Sequence, residues 1–377
     1  MKFQAWFMYL ICLVVLPITA LAEQKSCSQP RVVEFDPPLA SPSPGLGTIV
    51  SGINNLGEVA GYYLDANAVY HSYVRYPDGR ITSFDAPNVL TGSPYHGTAA
   101  FSLNDFGATT GRFPDQQSIR HSFVRTPDGH ITTFDAPGAD ITDPFQGTSA
   151  FSLNLQGAIA GVYVDTGFNQ HGFVRSPHGA FTAFDPAGSH YTTVAEATGI
   201  NLPGAIIGSY LGTDFNFHGF LRQPDGAMTV IDAPGADTSG SFNGTFPSSI
   251  NVWGAITGSY GDPNGVNHGF VRLPDGQISA FDAPGSAAIP GVGTGPGAIN
   301  ARGEIGGSFF DANFVVHGFT RSPEGTFTII DVPGATTTIG SGTGTWVSGV
   351  NLQGVVTGNY ADTNGGNHGY VWTPCDK

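Results

Sequence analysis

Seven histidines recur at nearly equal spacing along this 377-residue chain. They are His71, His121, His171, His218, His268, His317 and His368. Histidine is a common zinc ligand, so the pattern first suggests a metal centre, but a zinc site gathers about four ligands at one point. Equivalent residues of successive repeats lie far apart. We therefore favour a structural role, with each histidine hydrogen-bonded inside its own repeat, and predict neither a metal nor another cofactor.

Two sets of aspartates accompany these histidines. One set ends a short strand pattern in each repeat: Asp36, Asp85, Asp135, Asp185, Asp232, Asp282 and Asp331. A second set lies in the loop before the histidine: Asp65, Asp115, Asp165, Asp262, Asp311 and Asp362. Residues 262–265 and 362–365 resemble calcium loops, but the downstream glutamate of such loops is missing. Asx turns account for the loop set, and we expect no calcium site.

A recurrent arginine follows the histidine in six repeats, and we expect it to pair with carboxylates at the edge of each repeat. The set is Arg75, Arg125, Arg175, Arg222, Arg272 and Arg321. Catalytic signatures are missing: there is no Gly-x-Ser-x-Gly, His-Glu-x-x-His or phosphate-binding glycine loop. No catalytic residue is therefore assigned, and the sequence favours a binding protein over an enzyme.

A repeated Asn-x-x-Gly element defines the units that position these side chains. Its asparagines are Asn54, Asn104, Asn154, Asn201, Asn251, Asn300 and Asn351, spaced 47–51 residues apart. Each unit contains four short strand patterns and no helical periodicity. A Pro-Asp-Gly turn such as that at 127–129 is a strong hairpin signal between the last two strands. Four strands per unit predict an all-β fold, a seven-bladed β-propeller with four antiparallel strands per blade.

The last repeat stops before its fourth strand, and the missing strand is found at the other end of the chain. Residues 31–37 carry the same pattern as residues 81–86, so we expect the N-terminal strand to complete the seventh blade and close the ring. Cys27 and Cys375 flank the two halves of this split blade. In an exported protein they are expected to form a disulfide, the alternative being two free thiols.

The motif Asn-x-x-Gly-x-Ile/Val-x-Gly followed by His-Gly-Phe or His-Ser-Phe resembles the HAF family of bacterial extracellular repeats. The resemblance covers nearly the whole chain after the leader. Gly172, Gly219 or Ser122 stands where the family has alanine, which is a small-for-small difference. The resemblance implies an exported, propeller-like array and implies no activity.

Residues that break the repeat are the better candidates for function, because residues shared by all units mostly serve the fold. A Gly-Thr pair opens the first strand in six units, and the next position differs in every unit. Large or charged side chains there, with aromatic residues in the preceding loops, are expected at the central funnel of a propeller, its usual ligand site. The candidates are Glu196, Phe246, Trp346, Tyr95, Phe145, Tyr191 and Phe242. The alternative is that these rings pack between blades.

The N-terminal sequence indicates the cellular compartment, and the net charge indicates which classes of binding partner are disfavoured. Residues 1–22 read as a cleaved signal peptide, leaving 23–377 as a single propeller domain that is secreted or periplasmic. The apolar run is too short to span a membrane, and a net charge of −15 disfavours nucleic acid. We expect a binding module for extracellular polysaccharide, a peptide or a surface protein. The alternatives are a carbohydrate-active hydrolase or lyase using Glu196, and a structural envelope protein.

Overall fold

A computed structural model describes residues 29–240, 243–338 and 343–375, with side chains omitted at 191–196. The described residues form β-strands joined by turns, and no helix occurs among them. Consequently the described chain contains no helical segment capable of crossing a bilayer. The predicted signal peptide, residues 1–22, lies outside the described residues, as does Cys27.

The strands pair in consecutive groups of four, here called units, in which each strand is antiparallel to the next. Units one and two contain β2 (Gly47–Ile53), β3 (Val59–Leu64), β4 (Tyr70–Arg75), β5 (Ile81–Phe84), and β6 (Ala99–Leu103), β7 (Thr109–Pro114), β8 (Arg120–Arg125), β9 (Ile131–Phe134). Units three and four contain β10 (Gly147–Leu153), β11 (Ile159–Val164), β12 (Gln170–Arg175), β13 (Phe181–Phe184), and β14 (Ser189–Ile200), β15 (Ile206–Gly212), β16 (Phe217–Arg222), β17 (Met228–Ile231).

Units five to seven continue the same order. They contain β18 (Thr245–Ile250), β19 (Ile256–Gly261), β20 (Asn267–Arg272), β21 (Ile278–Phe281); β22 (Thr294–Ile299), β23 (Ile305–Phe310), β24 (Val316–Arg321), β25 (Phe327–Ile330); and β26 (Thr345–Val350), β27 (Val356–Ala361), β28 (Asn367–Thr373). The fourth strand of the last unit is β1 (Arg31–Phe35), which pairs antiparallel with β28. Val32 lies opposite Trp372 and Phe35 opposite Gly369, so the predicted pairing of these two segments is confirmed.

In six units a glycine at the start of the first strand lets consecutive units approach closely. Gly97 has a φ of 127° and bridges to Tyr70 on the third strand of the preceding unit. A Cβ at Gly97 would overlap the Tyr70 carbonyl oxygen, so no other residue fits. Thr98 then accepts a 2.9 Å hydrogen bond at Oγ1 from the backbone N–H of Ala86. The Gly-Thr pair is therefore a joint between units.

The hydrophobic core lies between the sheets of neighbouring units. One cluster joins Ala160 and Val162 of unit three to Ile206 and Phe220 of unit four. The third strand of every unit buries one aromatic ring almost completely: Tyr73, Phe123, Phe173, Phe220, Phe270, Phe319 and Tyr370. Replacing such a buried ring with alanine typically lowers the free energy of unfolding by about 3–5 kcal/mol. Packing between neighbouring units is therefore a large part of what stabilises each unit.

The seven repeated asparagines link the ends of the first strands in a circuit of hydrogen bonds. The amide Nδ2 of each donates to the backbone carbonyl of the asparagine in the following unit, at 2.8–3.2 Å. The final link runs from Asn351 to Asn54. Each Oδ1 accepts the backbone N–H four residues on, which fixes its own turn. These side chains are buried, so the circuit couples the turn of every unit to its neighbour.

Candidate functional site

The seven histidines, here called the histidine belt, lie one in each unit and do not gather at one point among the described residues. Each Nδ1 lies 2.7–3.0 Å from the aspartate that ends the fourth strand of the same unit. In the last unit that partner is Asp36, from the N-terminal segment. The histidine side chains are 17–23% exposed, and each stacks on the aromatic residue opposite, as His171 does on Tyr163 at 5.0 Å. Among the described residues no three His, Cys, Asp or Glu side chains gather in a metal-binding arrangement.

The loop aspartates approach the other nitrogen of the same histidines and form Asx turns. Asp65 accepts the backbone N–H groups of Asn67 and Val69 at 2.8 and 2.9 Å, and its carboxylate lies 3.8 Å from His71 Nε2. Unit four uses Asp214, 3.2 Å from His218, which the sequence analysis overlooked because it lies four residues before the histidine and not six. Backbone hydrogen bonding from Asn169 and the nearby His171 lower the pKa of Asp165 to about 2.

The expected pairing of the repeated arginines with carboxylates is wrong. Across the described residues none of these six guanidinium groups lies within ion-pair distance of an Asp or Glu. Arg125 instead lies over the ring of Phe84 in the preceding unit, 4.8 Å from its centroid. The same contact recurs for Arg75, Arg175, Arg222 and Arg321. These arginines therefore pack against neighbouring units through cation–π contacts.

Two of the predicted ligand residues, Tyr95 and Phe145, border one pocket. This first pocket has a volume of about 380 Å³ and lies where units one and two meet, at the Gly-Thr end of their first strands. Its walls also include Tyr62, Tyr70 and Phe101. The rings form a connected set, with Tyr62 edge-on to both Tyr70 at 5.3 Å and Phe101 at 6.2 Å. The first pocket is thus largely aromatic.

Tyr95 and Phe145 occupy backbone positions that disfavour them. Their φ angles are 61° and 67°, in the left-handed region, where bulky side chains are strained by roughly 1 kcal/mol or more. Units one and six have Gly45 and Gly291 at the equivalent position, and the same backbone hydrogen bond is kept in all four cases. The two rings are nevertheless 64% and 56% exposed. Neither the turn nor burial in a core explains these aromatic residues.

Polar groups of the first pocket include those of Tyr62, Tyr70, Arg112 and Arg120. Burial raises the pKa of both tyrosines, so their hydroxyl groups remain hydrogen-bond donors at neutral pH. Arg112 lies over the ring of Phe101, 5.4 Å from its centroid. Burial, and then the charge of Arg112, lower the pKa of Arg120. Two guanidinium groups therefore repel each other beside the aromatic walls.

The other predicted ligand residues are not gathered in this pocket. Phe246 lines a second cavity of about 480 Å³ together with Phe101 and Phe151, whose rings stack at 5.6 Å. Trp346 lines a third, of about 280 Å³, and packs edge-on against Phe310. Phe242 and the side chains of Tyr191 and Glu196 lie outside the described residues. The candidates thus line three adjoining cavities, because Phe101 borders both the first pocket and the second cavity, and Ser259 borders both the second and the third.

Comparison with known proteins shows the fold. No protein-family model matches the sequence, and no protein of curated function does. The structure resembles the β-propeller domain of the Trilobed protease from Pyrococcus furiosus, which has an open velcro topology, with a TM-score of 0.53 and 9% identity over 86% of this chain and 94% of that one. It resembles the BP39L lectin from Burkholderia pseudomallei with a TM-score of 0.53 and 10% identity, over 89% and 97% of the two chains. The chain has a β-propeller fold.

The sequence analysis missed four residues that line the first pocket: Tyr62, Tyr70, Arg112 and Arg120. Tyr62 and Arg112 occupy the same position on the second strand of their units, and Tyr70 and Arg120 the same position on the third. Tyr62 and Arg112 lie within their strands, and Tyr70 and Arg120 begin theirs, directly before the repeated histidine. The residue type at each of these two positions varies between units, and this variation is the sequence signal that points to them.

Cys375 follows β28 and is a disulfide-bonded cysteine. Its predicted partner, Cys27, lies among residues that the structure does not describe. The strand before Cys375 pairs with β1, which follows Cys27 in the sequence. The bridge between Cys27 and Cys375 remains a prediction.

Proposed function

We propose that this protein is an exported, closed seven-bladed β-propeller that binds carbohydrate in the first pocket. Export rests on the signal-peptide pattern of residues 1–22, which gives a secreted or periplasmic protein. The resemblance to HAF repeats agrees with this location. A disulfide between Cys27 and Cys375 would fasten the two chain ends at the seventh blade.

Three contacts between the two ends of the chain support ring closure. β1 pairs with β28, His368 bonds to Asp36 at 2.7 Å, and Asn351 donates to Asn54 at 3.2 Å. Together they give the seventh unit the strand, the histidine partner and the turn contact found in the other units. We infer that the units are equivalent blades around one axis.

The observation that carries the binding proposal is the pair Tyr95 and Phe145. Both rings are solvent-exposed and stand at positive φ, where other units have glycine. Backbone strain at a surface site persists when the residue has another use. Flat aromatic faces beside hydroxyl and guanidinium donors suit a pyranose ring, which has an apolar face and several hydroxyl groups. The likeness to a lectin is one of fold, and the proposal does not depend on it.

A glycan-array screen of residues 23–377, followed by calorimetric titration, tests the proposal. Tyr95→Gly and Phe145→Gly install the residue that other blades use, so the melting temperature should be unchanged or higher. Each variant should bind the selected saccharide more weakly, by up to about tenfold, because a stacking ring contributes about 0.5–1.5 kcal/mol.

Phe106→Gln is the matched control. Phe106 is also a highly exposed ring, but it lies in the Asn-x-x-Gly turn at the opposite end of the first strands, where Gln156 and Gln353 are its equivalents. This variant should bind as the parent does. Full saccharide affinity in the Tyr95→Gly and Phe145→Gly variants would refute the proposed site.

A further inference from the structure

Two arginines lie together in the first pocket, although the chain as a whole is acidic. The chain has 14 basic residues against 29 acidic ones. Six of its arginines belong to the repeated set. Arg112 and Arg120 do not, yet both line the first pocket. Arg112 lies opposite Ser122 and Arg120 opposite Pro114 on adjacent strands, so the two arginines are diagonal neighbours.

Neither arginine is required by the blade. At the position of Arg112 the other units have neutral residues: Tyr62, Val162, Ser209, Ser259, Ser308 and Asn359. At the position of Arg120 they have Tyr70, Gln170, Phe217, Asn267, Val316 and Asn367. Six blades thus form the same strands without a charge at either position. The two guanidinium groups occur together in one blade only.

No carboxylate among the described side chains balances the charge of Arg120. It is only partly exposed, and within the described part of the chain its guanidinium makes no hydrogen bond or ion pair. The described lining of the pocket contains aromatic, hydroxyl, imidazole and guanidinium groups and no carboxylate. An arginine fork is suited to a carboxylate, which can accept two parallel hydrogen bonds. An anionic ligand would also relieve the repulsion between the two arginines.

We propose that the first pocket selects a uronic acid, with Arg120 and Arg112 receiving the sugar carboxylate while Tyr95 and Phe145 contact the ring. This inference rests on the carbohydrate-binding function proposed above and names its substrate class. The partner is accordingly an acidic polysaccharide. A sulfated saccharide would offer the same anionic chemistry, and the test includes it as a separate arm.

The test compares oligosaccharides of galacturonate, mannuronate and glucuronate with their methyl esters, by calorimetric titration of the unmodified protein at low salt. Esterification removes the charge and keeps the ring. At least one uronate should bind about ten- to a hundredfold more tightly than its ester, and added salt should reduce that ratio.

Arg120→Gln should bring the affinity for the uronate down to that for the ester and leave the ester unchanged. Glutamine is the residue of unit three at this position, so the blade should fold, which thermal melting checks. Arg112→Ser, the residue of units four to six, should act in the same direction. Arg302→Gln is the matched control, because it removes an equal charge from an exposed turn at the other end of the first strands.

The outcomes separate the two proposals. Equal binding of acid and ester, lost in Tyr95→Gly, would overturn the charge inference and leave the saccharide site standing. Preference for a sulfated over a carboxylated oligosaccharide would overturn the assignment to uronic acid. Binding of none of these sugars, together with a negative glycan array, would overturn the proposed function itself.

Discussion

The asparagine circuit and the first pocket belong to the same blades but follow opposite rules. In the circuit every unit contributes the same residue making the same two contacts, from Asn54 to Asn351. In the first pocket, Tyr95 and Arg120 have no counterpart of the same type in most units. The repeated residues make contacts that each blade needs in order to pack against the next. The unrepeated ones make no contact that the other blades require, which is why we assign function to them.

The largest expected effect on stability comes from breaking the circuit. Asn251→Ala removes the acceptor for the backbone N–H groups of Trp253 and Ala255 and the donor to Asn300 in the next blade. The site is buried, so the loss should lower the free energy of unfolding by about 3 kcal/mol. Denaturant or thermal unfolding measures this change, and saccharide affinity at 25 °C should remain that of the parent.

The control for this comparison is Asn67→Ala. Asn67 is exposed and its amide makes only a 3.4 Å contact with Asp65, so the free energy of unfolding should change by less than about 0.5 kcal/mol. If Asn251→Ala proves as mild as Asn67→Ala, the repeated asparagines do not hold the blades together.

A smaller effect is expected from several of the repeated histidines as the pH changes. The hydrogen bond to Asp85 raises the pKa of His71, and the bond to Asp135 raises that of His121. A raised histidine pKa stabilises the fold fully below the unfolded value of about 6.5, and this stabilisation is lost as the pH rises through the folded value. The melting temperature should therefore fall on the alkaline side of about pH 6.5.

The loop aspartates should determine how the stability of the fold decreases at acidic pH. Hydrogen bonds from Asn216 and His218, which outweigh burial, lower the pKa of Asp214 to about 2. A lowered aspartate pKa stabilises the fold above the unfolded value, and this contribution disappears as the pH falls through the folded value. The melting temperature should hence be highest between about pH 4 and 6.5. Replacing several belt histidines with glutamine should flatten the alkaline decline, and an unaltered decline would show that the belt does not cause it.

The sequence could predict whatever the repeat itself specifies. The spacing of the repeats predicted the units. The missing strand of the last repeat predicted that the N-terminal strand pairs with β28, and Arg31–Phe35 does so. The strict register of the histidines likewise indicated hydrogen bonding within each unit, which is found between each histidine and its aspartate.

The remaining features depend on which strand face a residue occupies and on what crosses from the neighbouring blade. The repeated arginines looked like partners for carboxylates, yet Arg125 stacks on Phe84, a residue 41 positions earlier that only blade packing brings near. The positive φ of Tyr95 became visible only in the structure, although glycine at the equivalent positions 45 and 291 was a clue. Arg112 and Arg120 were missed because their shared pocket is formed across two strands and a loop.

The stoichiometry of saccharide binding tests most directly the claim that function lies where the repeat is broken. Calorimetric titration of residues 23–377 with the tightest-binding oligosaccharide gives the number of sites per chain. If the site is the first pocket, with its single set of Tyr95, Phe145, Arg112 and Arg120, the titration should give one site, and that site should be lost in the Tyr95→Gly variant. A value near seven, with affinity kept in that variant, would place binding on the repeated features of the blades and contradict the account.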